Sequence, residues 1–162
     1  MISAELIARY FKLNYRVLHM QLEGLSHEDS LLQPPFRANN LNWVLGHIIA
    51  GRSRALALLG AEPVWSKEES AAYAQESEPI TAEAALPLHQ LVADLDTAQD
   101  RLAEVLAKTT EVELGPNPLG IQKEGQDRSL GERLSFIYWH EAYHTGQTEL
   151  LRQLAGVDDK VI

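Results

Sequence analysis

Apolar side chains recur three and four positions apart in four long stretches of the chain, the period at which one face of an α-helix is buried. The first stretch opens at Ser3, a residue type suited to an N-cap. It carries Leu6, Tyr10, Leu13, Val17 and Gln21 on one stripe with Ile7, Asn14, Leu18 and Leu22 beside it, and stops at Gly24. Both stripes together form the expected core face. Ser26 starts a short helical signal that Pro34 and Pro35 end. The second long helix is expected from Asn40 to Gly60, with Leu41, Val44, Leu45, Ile48, Ala55, Leu56 and Leu59 facing inward. Its Gly46 and Gly51 each cost about 1 kcal/mol of helix propensity relative to Ala, which implies that something approaches that backbone closely. The third runs from Pro87 to Lys108, its seam being Leu88, Leu91, Leu95, Ala98, Leu102 and Val105. The fourth opens with Ser129-Leu130-Gly131-Glu132, a capping box, and runs to Ala155 before Gly156.

Residues 61–80 and 109–128 are longer than ordinary helix connections. The first holds a candidate short helix from Ser66 to Ala74, and about 20 extended residues reach some 60 Å, enough to run the length of a 20-residue helix. No alternating strand pattern and no internal repeat is present. The fold class expected is therefore all-α: a single domain over residues 1–162, a four-helix bundle with a long crossover between the second and third long helices.

Composition narrows what such a bundle can do. With 14 Lys and Arg against 23 Asp and Glu, the formal charge is −9. A chain this acidic lacks the positive field that drives binding to nucleic acid or anionic lipid, so neither is expected as a partner. The first 20 residues scatter Glu5, Arg9, Lys12 and Arg16 with no unbroken apolar run, and the longest uncharged stretch, residues 38–51, is too short to span a bilayer. A cytoplasmic protein with a small-molecule or protein partner is the expectation. The chain has no cysteine, which excludes a thiolate nucleophile, a disulfide scaffold and zinc-thiolate sites; any transition metal must use histidine or carboxylate.

Six histidines remain to be placed. His140 and His144 stand four apart in the fourth helix, about 40° around its axis, so both imidazoles project from one face one turn apart, as two ligands of one ion would. They extend an apolar line through Ile137 to Gln147 and Leu151. His47 sits in the middle of the most apolar helix, where a buried imidazole requires a partner. Taken singly, each is as readily a hydrogen-bonded core histidine; taken together, one shared ion explains all three, and three neutral imidazoles with an open fourth position describe a reactive site. His19, His27 and His89 have no spacing partner and read as surface or capping residues.

The His140-Glu141-Ala142-Tyr143-His144 segment also matches the H-E-x-x-H motif of zinc proteases, with Glu141 as the base for an activated water. That motif needs a third ligand downstream. Only 18 residues follow His144, and Glu149 falls about 140° around the helix from it. A third ligand upstream fits better. The segment Asn42-Trp43-Val44-Leu45-Gly46-His47 resembles the W-x-x-G-H signature of the DinB/YfiT-like metalloenzyme family, and His140 to Gln147 followed by Leu150-Leu151-Arg152 is similar to that family's closing H-x-x-x-H-x-G-Q segment. Chain length, helix count and the long second connection agree with it.

The resemblance implies an up-down-down-up bundle paired as a homodimer, with a divalent metal ion, zinc or nickel, on His47, His140 and His144. It also implies an enzyme of the thiol-dependent transferase or isomerase kind, using a low-molecular-weight thiol such as bacillithiol, mycothiol or glutathione as cosubstrate. The absence of cysteine is compatible with a sulfur nucleophile brought by that cosubstrate. Two other readings stay open: a metal-dependent hydrolase, and a metal-bearing bundle that serves only as an interaction module. Glu141 is the candidate catalytic residue; beside a ligand but rotated about 100° from it, it is equally placed to orient an imidazole or to be a solvated charge. Asn14 is a candidate inward hydrogen-bonding group. Trp43 and Tyr143 read as core packing before pocket wall.

Overall fold

The computed structural model describes residues 3–78, 80–115, 128–159 and 161, and over these the chain is all-helical, with seven helices and no strand. They are α1 (Ala4–Leu22), α2 (His27–Ser30), α3 (Leu41–Leu58), α4 (Lys67–Ala71), α5 (Leu88–Leu106), α6 (Glu111–Leu114) and α7 (Leu130–Leu154). Local chemistry sets most of their starts. Ser3, Asn40 and Ser129 each accept from a backbone N–H of the first turn, and Ser66 and Ser129 close capping boxes with Glu69 and Glu132. Among these, α6 has no counterpart in the expected elements, although Thr110 and Glu113 form a capping box there. The Pro- and Gly-rich segment expected as a long link before the last helix falls largely on residues 116–127, outside the described residues.

Four long helices carry the packing. α1 lies against α5 and α7, α3 lies against the same two, and α2, α4 and α6 are short satellites. Most inward positions expected for α3 and α5 hold: Leu41, Val44, Leu45, Ile48, Ala55 and Leu56 are buried, as are Leu88, Leu91, Leu95, Ala98 and Leu102, while Leu59 and Val105, at the helix ends, are only half-buried. On α1 the buried face is turned from the expected one. Phe11 is fully buried and Leu13 is 55% exposed, so the line Ile7, Phe11, Asn14, Leu18, Gln21 is the core face, and its two polar members made it hard to distinguish from its neighbour.

The core divides into two apolar clusters. One contains Leu18, Leu22, Leu41, Leu45, Leu91, Leu95 and Leu151; the other contains Ile7, Phe11, Ala55, Leu56, Leu102, Leu134 and Ile137. On every long helix a buried polar residue separates the two in sequence: Asn14, Arg52, Gln99 and Glu141. No helix among the described residues is long and apolar enough to cross a membrane.

Candidate metal centre

Two neighbouring helices and one loop build the site. α3 supplies His47, α7 supplies His140 and His144, and one ligand atom from each lies within 4.8 Å of the others. The rings meet edge to face, with His47 at 5.0 Å from His140 and 4.8 Å from His144, and 4.5 Å between His140 and His144. Among the described residues no Asp or Glu joins the set.

Hydrogen bonds on the far side of two rings fix which nitrogen faces inward. His47 Nδ1–H donates to the Tyr73 carbonyl at 2.6 Å, and His144 Nδ1–H donates to Gln147 Oε1 at 2.7 Å. In a neutral imidazole this leaves Nε2 with its lone pair, the tautomer a metal requires. His144 Nε2 and His140 Nε2 lie 3.2 Å apart. Two ligand nitrogens at ordinary zinc distances in a tetrahedral site are separated by about 3.3 Å, so the spacing suits one small divalent ion. The donor set fits such an ion.

Burial disfavours the charged form of all three rings. It pushes His144 down to about 4, aided by the neighbouring His47 and His140 and opposed by the Gln147 hydrogen bond. Burial likewise lowers His47, against the effect of the Tyr73 carbonyl, and lowers His140, with added repulsion from His47 and Arg54. Neutral imidazoles bind metal without first losing a proton.

The surroundings hold these rings firmly. The buried Trp43 stacks on His47, centroids 4.6 Å apart and planes 11° from parallel, while its Nε1–H donates to Ser77 Oγ. Tyr73 is pinned at its hydroxyl, which donates to Asn42 Oδ1 and accepts from Leu86 N, and at its carbonyl, which accepts from His47. Its ring lies on the backbone of Gly46, where an added Cβ would sit 2.2 Å from Tyr73 Cδ1. That is the close approach implied by a mid-helix glycine; at Gly51 the nearest atom, Ile137 Cγ2, is 4.0 Å from such a Cβ, an ordinary contact. Tyr143 is exposed and presents an edge to His144, and Phe136 stacks on His140 at 6.1 Å. Beside Gln147 a cleft of about 390 Å³ opens, walled by Pro34, Pro35, Phe36, Val44, Leu150 and Leu154.

Glu141 points elsewhere. It is 3% exposed, and its two oxygens accept from Arg52 Nε and Nη2, each at 2.8 Å. Arg52 is fully buried and donates also to Gln99 Oε1 and to the Phe11 carbonyl, which joins all four long helices in one polar layer. Asn14, also buried, leaves Nδ2 without a partner. His19 pairs with Asp96 at 2.7 Å, and neither His27 nor His89 joins the cluster. Sequence reasoning did not reach Tyr73 or Gln147 as groups that hold the histidines. The Gln147 signal was its place one turn after His144 on the same line; a backbone carbonyl such as Tyr73's leaves no mark in a sequence.

The DinB superfamily profile matches residues 10–148. The chain belongs to the DinB superfamily. A crystal structure of a conserved protein from Enterococcus faecalis is similar over 96% of this chain and 98% of that one, with a TM-score of 0.72 at 15% identity, a likeness of fold alone. No curated protein matches this superfamily member. The three histidines therefore form a possible metal site in a superfamily whose members often bind metal.

Proposed function

We propose that this protein is a divalent-metal-dependent enzyme that transfers a low-molecular-weight thiol to a small electrophile, with zinc on His47, His140 and His144. The observation that carries the reading is the convergence of three imidazoles, two of them held by protein acceptors on Nδ1 so that Nε2 faces the common centre. When bound, such an ion lowers the pKa of a thiol or water in its remaining position. Tyr73 and Gln147 orient the ligands, and the cleft beside Gln147 is of a size that takes a small molecule rather than a peptide. The hydrolase reading is the weaker one: the carboxylate it needs as a base is held in a two-pronged ion pair with Arg52.

The same reading includes an up-down-down-up four-helix bundle. It is supported by Tyr10 against Tyr138 and Gln21 against Thr148, which run α1 and α7 in one direction, and by Tyr15 and His19 against Asp96, with the apolar partners of both clusters, which run α5 the other way. A cytoplasmic homodimer completes it; Trp139 and Leu150, exposed on α7, supply apolar surface for pairing.

Elemental analysis of protein purified without nickel affinity should find about one divalent ion per chain, lost in His144→Ala. Thiol consumption with a generic electrophile should then require the metal. Metal-free wild-type protein that takes up no zinc would overturn the reading, and a metal-bearing protein inert toward thiols but active in hydrolysis would replace it with the second one.

A further inference from the structure

In a molecule of formal charge −9, four of the nine arginines have partners among the described residues: Arg9 faces Glu5, Arg52 faces Glu141, Arg152 faces Asp159, and Arg101 donates to the carbonyls of Glu62 and Pro63. Arg54 and Arg128 are not among these four. Both are exposed, and among the described residues neither has a carboxylate within ion-pairing distance.

Both connect to His140, the least buried ring of the three, Arg54 through its charge and Arg128 through Phe136. Arg54 follows His47 by seven residues, two turns on nearly the same face of α3. Since His47 meets His140 and Gly51 meets Ile137, α3 and α7 run antiparallel and Arg54 falls one turn further toward the start of α7, at the level of Leu134. Its charge is felt at His140. Arg128, at the entrance to α7, holds its guanidinium 5.5 Å over the Phe136 ring, and that ring stacks on His140. His140 thus has an aromatic face beside it that carries one guanidinium, and the charge of a second acts on it, neither paired with a carboxylate of the described residues.

We infer that the flank formed by Arg54, Arg128 and Phe136 binds an oxyanion group, carboxylate or phosphate, of the small molecule that reaches the histidine cluster, whose apolar body lies on Phe136. This rests on the metal reading for the identity of the cluster but not for the anion. Two physical reasons support it. Guanidinium is the side chain best matched to planar or tetrahedral oxyanions, by paired hydrogen bonds as well as charge. A dication held by three neutral imidazoles keeps its whole charge, so the field at this mouth favours anions both with and without metal and strengthens when metal is present. The inference names the substrate class of the proposed enzyme as anionic.

The test reads the arginines directly. The Nε–Hε resonances of Arg54 and Arg128 are followed by NMR while benzoate, phenyl phosphate or neutral benzamide is added to metal-free and to zinc-supplemented protein. The anions should shift both signals saturably, benzamide should not, and zinc should tighten anion binding at least tenfold. The double variant Arg54→Gln and Arg128→Gln, two surface changes, should lose at least tenfold in anion affinity with its fold intact. A preference of benzoate over phenyl phosphate, or the reverse, assigns the source of the oxyanion. Shifts no larger than those at Arg9 and Arg16, or equal binding of benzoate and benzamide, overturn the inference. If zinc is not taken up but the anions still bind, the metal reading fails and this one stands; if zinc binds and the anions leave both arginines untouched, the reverse holds.

Discussion

Two polar clusters bridge the same pair of helices, and they are built on opposite rules. The Arg52–Glu141 layer consumes its own hydrogen-bonding capacity: the guanidinium reaches two carboxylate oxygens, an amide oxygen and a backbone carbonyl, all inside the chain. The histidine cluster has its outer nitrogens satisfied, on His47 and His144, while its inner nitrogens converge on one another, His144 Nε2 lying 3.2 Å from His140 Nε2. A satisfied buried network holds helices in place; an array of convergent lone pairs is costly to assemble unless something external completes it. On this contrast rests our proposal of a structural role for Glu141 and of ligand chemistry for the histidine on either side of it in the motif.

Removing one member of the satisfied layer should cost most. Glu141→Ala leaves a guanidinium buried without its charge partner, and a loss of about 3–5 kcal/mol in urea unfolding of the metal-free protein is expected. Replacing both members, Arg52→Met with Glu141→Leu, should recover most of that loss. An unchanged unfolding midpoint for Glu141→Ala together with abolished activity would instead make Glu141 a catalytic group.

Acid should act on the other cluster. His144 titrates near 4 in the folded chain against about 6.5 unfolded, and His47 and His140 shift the same way. With folded values depressed for a base, the unfolded state takes up more protons as pH falls. Stability of the metal-free protein should therefore be level above about pH 6.5 and decline from there toward pH 4, by on the order of 3 kcal/mol for His144 alone. His144→Gln should flatten the decline in a pH series of urea curves; a decline that survives would place the titrating group elsewhere.

Gly46→Ala tests the frame around the cluster. Its methyl would overlap the Tyr73 ring, which is 2% exposed and anchored at both ends, so a loss of about 1–3 kcal/mol is expected. Since Tyr73 also supplies the carbonyl on His47, zinc affinity should fall with it. Gln147→Ala should be milder for the fold and should lower zinc affinity about 10–100-fold, measured by competition with a chelator. An unaltered affinity in both variants would mean that the outer hydrogen bonds do not orient the ligands.

How much of this was readable in advance follows from range. Caps at Ser3, Asn40, Ser66 and Ser129 were legible because their partners lie three residues away. The histidine trio was legible because His140 and His144 share one turn and His47 interrupts an apolar run. The partner of Arg52 was not: Glu141 stands 89 positions away, and the sign available was an arginine on the stripe that joins Ile48 to Ala55. The face of α1 was drawn too wide for a different reason: the Leu6, Tyr10, Leu13, Val17 line is as apolar in sequence as the buried one, and Phe11, which completes the line through Ile7, Asn14 and Leu18, was not placed on it.

Asn14 is the exception inside the satisfied layer, and the smallest effect is expected there. It separates the two apolar clusters on α1, as Arg52, Gln99 and Glu141 do on the other helices, but its Nδ2 has no protein partner. A buried donor left unpaired costs about 1–3 kcal/mol, and an apolar side chain of similar volume removes that cost while keeping the packing. Asn14→Leu should therefore leave stability unchanged or raise it by up to about 1 kcal/mol. If it lowers stability by 1 kcal/mol or more, Nδ2 has a partner that belongs to the folded protein in solution, an ordered water bridging to the Arg52 layer being the chemistry that fits. In that case the layer is complete on all four helices and the contrast with the histidines becomes sharper.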